Sequence, residues 1–467
     1  MKTVCANIAG ANIRVKHAQL FAMSSFFTTM CPTVQQQYHA EIIPTLLGLF
    51  EGQHVKIQAG VAFALQSFVS GFNNEADEDE DEGVKNPRDT LKMYAADILK
   101  AMCVLLKQAI QSNYEALQSK VLDTIMTIAE VIESDFAPFY NDFVPMMLEI
   151  LQKVEASSDD NKRLRARAIE TTGVIVGAVT ECEESAALKE SVQQITQFLA
   201  NAVNQGFSDA DPQDLASKEA LINCAGFLGT EFAVYMPVLM DTIVRDSQLS
   251  LDFKMQSADQ PVTDTNAGFN VKVNLIKGMG EQRVSMNTEN LVRKTGAFAL
   301  LEQVSEKMGS SFAPYVEPLA PIVMEHMKFQ FHHEIRKHAL KTFANMLVAV
   351  GEPLNVQLFQ QAFQESFVAE TLKEITRKKT KTVKLLVKSL VLCLKKLSEQ
   401  NVANREFLSQ AQICSLAPVI KGSLDLVVEM RAALQISLAQ SKKAYDLDEE
   451  DLEIMKEDIA KISKVAS

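Results

Sequence analysis

The chain has 467 residues, with no tryptophan, 18 glycines, 13 prolines and 47% apolar residues, a composition that favours helices, supplies a large core and excludes disorder of the whole chain. A net charge of −13 and an isoelectric point near 5.2 argue against direct nucleic-acid binding through phosphate neutralisation; they suit basic partners, or solubility alone. Seven scattered cysteines (Cys5, Cys31, Cys103, Cys182, Cys224, Cys393 and Cys414) without C-x-x-C spacing read as buried thiols in a reducing compartment, and no apolar run reaches the length of a signal peptide or a membrane span.

In chain order, helical periodicity predicts helices over 12–30, 34–50 and 54–72, the last opening on Val55-Lys56 with Ala59 one turn on. Residues 74–89 interrupt the rhythm as an acidic loop insertion. Its Glu75, Asp77, Glu78, Asp79, Glu80, Asp81 and Glu82 repel one another, so the segment is expected to be mobile, either a solvated linker or an electrostatic lure for a basic partner. Helices follow over 90–109 and 112–134, where Leu117, Val121, Ile125, Ile128 and Ile132 form one apolar stripe. The helix over 136–155 opens on Phe136-Ala137-Pro138-Phe139-Tyr140 with Pro145; 162–180 carries Leu164-Arg165 with Ala168. Helices over 185–205 and 211–230 precede 232–248, which opens on Phe232-Ala233-Val234-Tyr235-Met236-Pro237.

A second insertion spans 249–288. Within it, 269–275 alternates with period two, Gly278 and Gly280 follow, and 282–286 alternates again, which predicts a β-hairpin. The Gly-x-Gly lacks the Lys-Ser/Thr of a phosphate cradle. The helix over 288–308 carries Val292-Arg293 with Gly296, and 311–329 opens on Phe312-Ala313-Pro314-Tyr315 with Pro318. The helix over 332–350 carries Ile335-Arg336 with Ala339. After 355–378, the helix over 380–400 carries Val383-Lys384 with Val387. Helices over 405–440 and 447–465 complete the series, the last with apolar Leu452, Ile454, Met455, Ile459 and Ile462.

These segments alternate between a first helix that opens on aromatic and proline residues and a second that opens on an apolar residue and a cation. The residue one turn after the cation is usually small, which lets neighbouring helices approach; Val387 is the exception. Pairs recur every 40–47 residues or so, as HEAT arrays require. The expected fold is therefore all-α: a single HEAT-repeat array over 1–467, wound as a right-handed α-solenoid of about eight or nine helix pairs, with one β-hairpin-like insertion. Since 12–30 reads as a second helix without its first and nothing caps 447–465, both ends are expected to expose apolar surface.

Catalytic and metal chemistry finds little support. His332, His333 and His338 cluster with Glu334, but His333 and His338 are five apart, about 140° around a helix, and cannot share a zinc ion. No nucleophile elbow, Walker A or kinase set occurs, so neither an enzyme nor a cofactor is expected. Arg377, Lys378, Lys379, Lys381, Lys384 and Lys388 form the one basic stretch. It reads as a capped, solvated turn or as a site for an acidic partner; without interleaved aromatics it makes a poor nucleic-acid site.

The second helices offer more. Asp123, Thr127 and Glu130 share one side of 112–134, Glu170 holds the equivalent place in the next pair, and Glu219 and Asn223 stand one turn apart in the one after. Second helices stacked side by side on a concave face would join these into a ladder, with carboxylates for the charges and amides for the backbone of an extended Lys/Arg peptide. The same residues would otherwise be a solvated face.

Several segments resemble the karyopherin-β (importin-β) superfamily, in particular its importin-five, Ran-binding-protein branch. They are 39–44, 136–145, Leu164-Arg165-Ala166-Arg167-Ala168-Ile169-Glu170 with 177–179, and Leu228-Gly229-Thr230-Glu231-Phe232 with 235–238. The 249–288 insertion sits where that branch carries one. The resemblance implies a nuclear import receptor that shuttles between cytoplasm and nucleus. It would bind basic localisation-signal cargo, meet phenylalanine-glycine (FG) nucleoporins and answer to the small GTPase Ran in its GTP form. Two departures stand out. The acidic loop is longer than the family's link, and the amino-terminal repeats that form the principal Ran-binding region have no counterpart, so a central segment of a longer receptor is expected. The competing reading is a HEAT scaffold or adaptor of another class.

Overall fold

The computed structural model describes residues 8, 10–72, 87–183, 185–208, 210–251, 254–257, 269–276, 280–330, 332–400, 408–439 and 449–466. Glu75 to Glu82 of the acidic loop lie outside the described residues. The chain divides into two compact units, Met1–Leu239 and Met240–Ser467.

The first unit contains α1 (Ile13–Thr29), α2 (Thr33–Gly48), α3 (Val55–Val69), α4 (Pro87–Gln111), α5 (Glu115–Ile132), α6 (Tyr140–Lys153), α7 (Asp159–Ala178), α8 (Ser185–Gln205), α9 (Pro212–Leu228) and the start of α10 (Met236–Ser247). The second continues with β1 (Lys254–Ser257), β2 (Phe269–Ile276) and β3 (Gly280–Asn287). After these come α11 (Thr288–Met308), α12 (Ala313–Met327), α13 (His333–Ala349), α14 (Leu354–Ala362), a π-helical turn over Phe363–Val368, α15 (Ala369–Thr376), α16 (Thr380–Gln400), α17 (Gln410–Ala439) and α18 (Glu449–Ala466). Within each unit the described helices follow the helix-pair reading of the sequence. In the first unit the second helices α1, α3, α5, α7 and α9 pack side by side in sequence order, and in the second unit α11, α13, α16 and α18 do the same. β2 and β3 cover the alternating segments and pair antiparallel from Phe269↔Asn287 to Ile276↔Gly280. β1, which the sequence pattern did not mark, adds to the other edge of β3.

The two helix types begin differently, for a local reason. Five second helices start at a side-chain cap: Asn12, His54, Ser158, Asp211 and Asn287 each accept a hydrogen bond from a first-turn N–H. The aromatic–proline elements instead form 3₁₀ turns over Glu133–Phe139, Gly229–Val234 and Gly309–Phe312, and bury Phe136, Phe232 and Phe312 completely. Three residues before each of these phenylalanines the backbone takes a positive φ, at Glu133 (52°), Gly229 (55°) and Gly309 (49°). The two glycines adopt it freely; Glu133 carries the Cβ strain.

The repeat cations Arg165 and Arg336 each reach back to the first helix of their own pair and also on to the next pair, to Gln213 and Glu370. Arg165 donates to the carbonyls of Leu151 and Val154 at the end of α6, and Arg336 Nε donates to Met327 O at the end of α12 (2.9 Å). Gln58 and Gln118 do the same from α3 and α5, to Phe50 O (3.0 Å) and Ala109 O (3.1 Å). Each joins the second helix to orphan carbonyls at the first helix's C-terminus.

Two expectations need correction. The last helix does not expose its apolar residues: Leu452, Met455, Ile459 and Ile462 are buried and Ile454 half-buried, because α18 packs on α16 and α17. Exposed apolar side chains do occur on α1, at Ile13, Val15, Phe21 and Phe26, with Met30 at its C-cap. Gly296 is not a close-approach position either, since an added Cβ would meet nothing within 4 Å. The close approach lies at Gly173 on α7, where a Cβ would stand 2.6 Å from Ala220 Cα of α9.

Candidate partner-binding surface

The candidate surface is the polar side of α5, α7 and α9, three adjacent second helices of the first unit. On α5 the apolar stripe faces inward, with Leu117, Val121, Ile125, Ile128 and Ile132 buried. Asp123 is buried too, at 5% exposure, because α7 covers it. Its carboxylate is paired with Arg167 Nε across the helix–helix contact (2.8 Å) and with Lys120 Nζ on its own helix (3.1 Å). Arg167 Nη1 in turn donates to Glu170 Oε2 at 2.6 Å. Glu170 faces Glu219 of α9. Burial, and then the charge of Glu170, raise the Glu219 pKa above the ordinary carboxyl value. One turn beyond, Asn223 lies over Gly177, where an added Cβ would come within 3.0 Å of Asn223 Oδ1.

The structure thus joins Asp123, Glu170, Glu219 and Asn223 into one strip across three helices. It leaves two predicted members out. Thr127 is buried, and its hydroxyl donates to its own helix at Asp123 O (2.9 Å). Glu130 is exposed, two turns along α5 from Asp123, outside the linked set. Sequence reading missed Arg167, although Arg-x-x-Glu at 167–170 places the two side chains on one face. Its effect is large. With Lys120 and Arg167 on Asp123 and Arg167 also on Glu170, the strip has three carboxylates against two cations, and its net negative charge lies toward Glu219. Asp123 is a structural residue, and reversing its charge would cost stability.

Elsewhere, the imidazole of His338 is held by Glu302 (Nδ1 to Oε2, 2.6 Å), Glu334 lies within 4 Å of both His333 and His338 (3.6 and 3.8 Å), and no group of three or more metal-ligating side chains occurs among the described residues. Burial pushes the thiols of Cys224 and Cys393 up to about 12, which leaves them inert. No single described helix is long and apolar enough to cross a membrane. In the second unit, α12 and α14 enclose a cleft of about 590 Å³. Ala320, Pro321, Met324, Leu354 and Leu358 form its apolar side, and Glu317, Glu325 and Gln361 line it with the Lys328–Glu365 ion pair (2.9 Å).

No family model matches the chain. It is 22% identical over 325 residues to importin subunit beta-3 of Saccharomyces cerevisiae, covering 69% of this chain and 27% of that protein. It is 22% identical over 357 residues to the probable importin subunit beta-4 of Schizosaccharomyces pombe, covering 74% of this chain and 30% of that protein. Among solved structures it is similar to Kap121p bound to Pho4p (TM-score 0.72, 20% identity, 99% of this chain and 40% of that one). It is also similar to Kap121p bound to Nup53p (TM-score 0.71, 20% identity, 99% and 40%). The chain spans less than a third of the length of these curated relatives. The karyopherin-β resemblance carried by the motifs therefore extends to importins in sequence and to Kap121p in fold.

Proposed function

We propose that this chain is a cargo-binding stretch of a nuclear transport receptor that shuttles between cytoplasm and nucleus, and that it takes extended basic signal peptides on the α5–α7–α9 strip. The observation that carries the reading is the Glu170–Glu219 pair. Two carboxylates face each other across adjacent second helices, one with a raised pKa, in an arrangement that a ligand ammonium group relieves. The nearby Asn223 amide suits a peptide backbone. Ran in its GTP form and the FG nucleoporins enter as partners through the karyopherin-β resemblance. This is a binding protein's surface, not an enzyme's.

Reversing Glu170 and Glu219 together to lysine is expected to weaken binding of a fluorescent Lys-rich peptide by roughly tenfold or more. Each surface ion pair contributes about 0.2–1 kcal/mol, and the reversal adds repulsion. Both side chains are half-exposed, so the melting temperature should stay within about 2 °C of the parent. Binding of the parent should fall as pH drops through the raised Glu219 value, since the protonated carboxyl no longer attracts a cation. It should also weaken between 0.1 and 1 M salt, as the Debye length shrinks from about 10 Å to about 3 Å. Unchanged affinity in the double reversal would reduce the strip to a solvated helix face.

The α12–α14 cleft suits the phenyl ring of an FG repeat through its apolar side, with polar residues beside it for the repeat's backbone. Leu358→Glu is expected to lower retention on immobilised FG-repeat nucleoporin several-fold while peptide binding by the first unit persists. A HEAT scaffold of another class would show no retention at all, and that result would favour the competing reading.

A further inference from the structure

The basic stretch around 377–388 is not one feature but two. At the turn between α15 and α16, Arg377 reaches Gln330 Oε1 (3.1 Å) and Glu374 Oε1 (3.5 Å), and Lys378 pairs with Glu429 of α17 (2.5 Å). Lys384 pairs with Asp451 of α18. These cations hold neighbouring helices together. The exposed side of α16 is different. Thr380, Val383, Leu386, Val387, Leu390, Cys393, Leu394 and Leu397 face the core, which turns Lys381, Leu385, Lys388, Leu392 and Lys395 together to the opposite side, at alternating spacings of four and three. The three lysines are exposed and the two leucines half-buried. No carboxylate forms an ion pair with Lys388 among the described residues, and Lys395 meets only Glu399, at the 4.0 Å limit. On the flanking second helix α13, exposed Lys341 is paired with Glu302 (2.8 Å), and Lys396 of α16 is tied down to Asn345 Oδ1 (2.7 Å), so neither joins the stripe.

We infer that the α16 stripe is a docking site for an acidic amphipathic helix of a partner protein. Charge selects an acidic partner, the reverse of the basic cargo proposed for the first unit, so the inference does not rest on that reading. The leucines select against a plain polyanion. Lysines and leucines each recur every seven residues, about 10.5 Å along the helix axis, which is the interval at which a partner helix presents its own apolar and acidic positions. Nucleic acid fits poorly, because no aromatic side chain lies on the stripe for base stacking and two apolar side chains would be set against phosphate.

The test uses the full chain and a fluorescein-labelled synthetic helix carrying leucines at a and d and glutamates at e and g. Three competitors of similar length are compared: oligo-glutamate, single-stranded DNA and a scrambled peptide of the same composition. The amphipathic helix is expected to bind at least tenfold more tightly than any competitor. Lys388→Glu with Lys395→Glu should remove binding and its salt dependence, and Leu392→Asn should weaken binding several-fold with the salt dependence retained. All of these variants should keep the parent's circular-dichroism spectrum and melting temperature, which shows that α16 stays folded. DNA or oligo-glutamate binding as tightly as the helix, or Leu392→Asn binding like the parent, would overturn the assignment. So would a double reversal without effect.

Discussion

Replacing Arg336 by alanine is expected to destabilise the second unit by about 3–5 kcal/mol, the usual consequence of removing one member of a buried ion-pair set. Arg336 is 3% exposed. Its Nη2 donates to Glu370 Oε2 at 2.7 Å, its Nη1 lies 3.7 Å from Glu374 Oε1, and its Nε holds Met327 O. Glu370 and Glu374 are themselves 7% and 1% exposed. Lys373 (2.9 Å) and Arg377 (3.5 Å) approach the same carboxylates from the solvent side, at partial exposure. Without the guanidinium, two carboxylates are left in a low-dielectric interior with only these weaker cations. The carbonyl at the end of α12 also loses its donor. A drop on the order of 10 °C in the melting of this unit should follow, together with faster amide exchange across α13 and α15. Arg336→Ala combined with Glu370→Gln and Glu374→Gln should recover part of the loss, because no buried charge then remains. A single-variant shift below about 1 kcal/mol would mean that the helix–helix apolar contacts hold this junction unaided and that the ion-pair set is incidental.

Arg336 also marks where sequence reading stopped. The apolar–cation opening of each second helix was visible, as was the periodicity behind it, because both are local patterns with a helical period. Val121, Ile125 and Ile128 are buried as their spacing required. The partner of each cation was not visible, since it depends on which residue of another helix the packing delivers: carbonyls of α6 for Arg165, two glutamates 34 and 38 positions on for Arg336. The same limit applied at the candidate surface. Asp123, Glu170, Glu219 and Asn223 could be placed on one side by counting turns, but the insertion of Arg167 between Asp123 and Glu170 is a tertiary fact. It turned a supposed ladder of open carboxylates into a strip with one neutralised end. The end of the chain was misjudged for a related reason. Periodicity shows that the last helix has an apolar face but not which helices cover it, and α18 packs that face on α16 and α17.

Gly173 and Gly296 offer the sharpest contrast, because one residue type in the interior of two second helices should respond to the same change with opposite sign. At Gly173 a Cβ would sit 2.6 Å from Ala220 Cα and 2.7 Å from Ala220 Cβ. The first of these is backbone, which no rotamer change can move, so α7 and α9 must separate. Gly173→Ala is expected to cost about 1–3 kcal/mol and Gly173→Val more, as overpacking does. Ala220→Gly should rescue the alanine variant only in part, since it removes the Cβ contact and leaves the Cα one. At Gly296, with nothing within 4 Å of the added carbon, alanine should instead stabilise by about 0.5–1 kcal/mol through helix propensity alone. The Gly173 variants carry a functional consequence as well. α7 bears Glu170 and α9 bears Glu219, so spreading the two helices widens the gap that a peptide ammonium group must bridge. Affinity for the Lys-rich peptide should therefore fall in Gly173→Ala even at a temperature where circular dichroism shows full helicity, while Gly296→Ala binds as the parent does. If Gly173→Ala melts and binds like the parent, the α7–α9 contact is looser than the 2.6 Å approach requires, and the Glu170–Glu219 pairing loses its geometric basis.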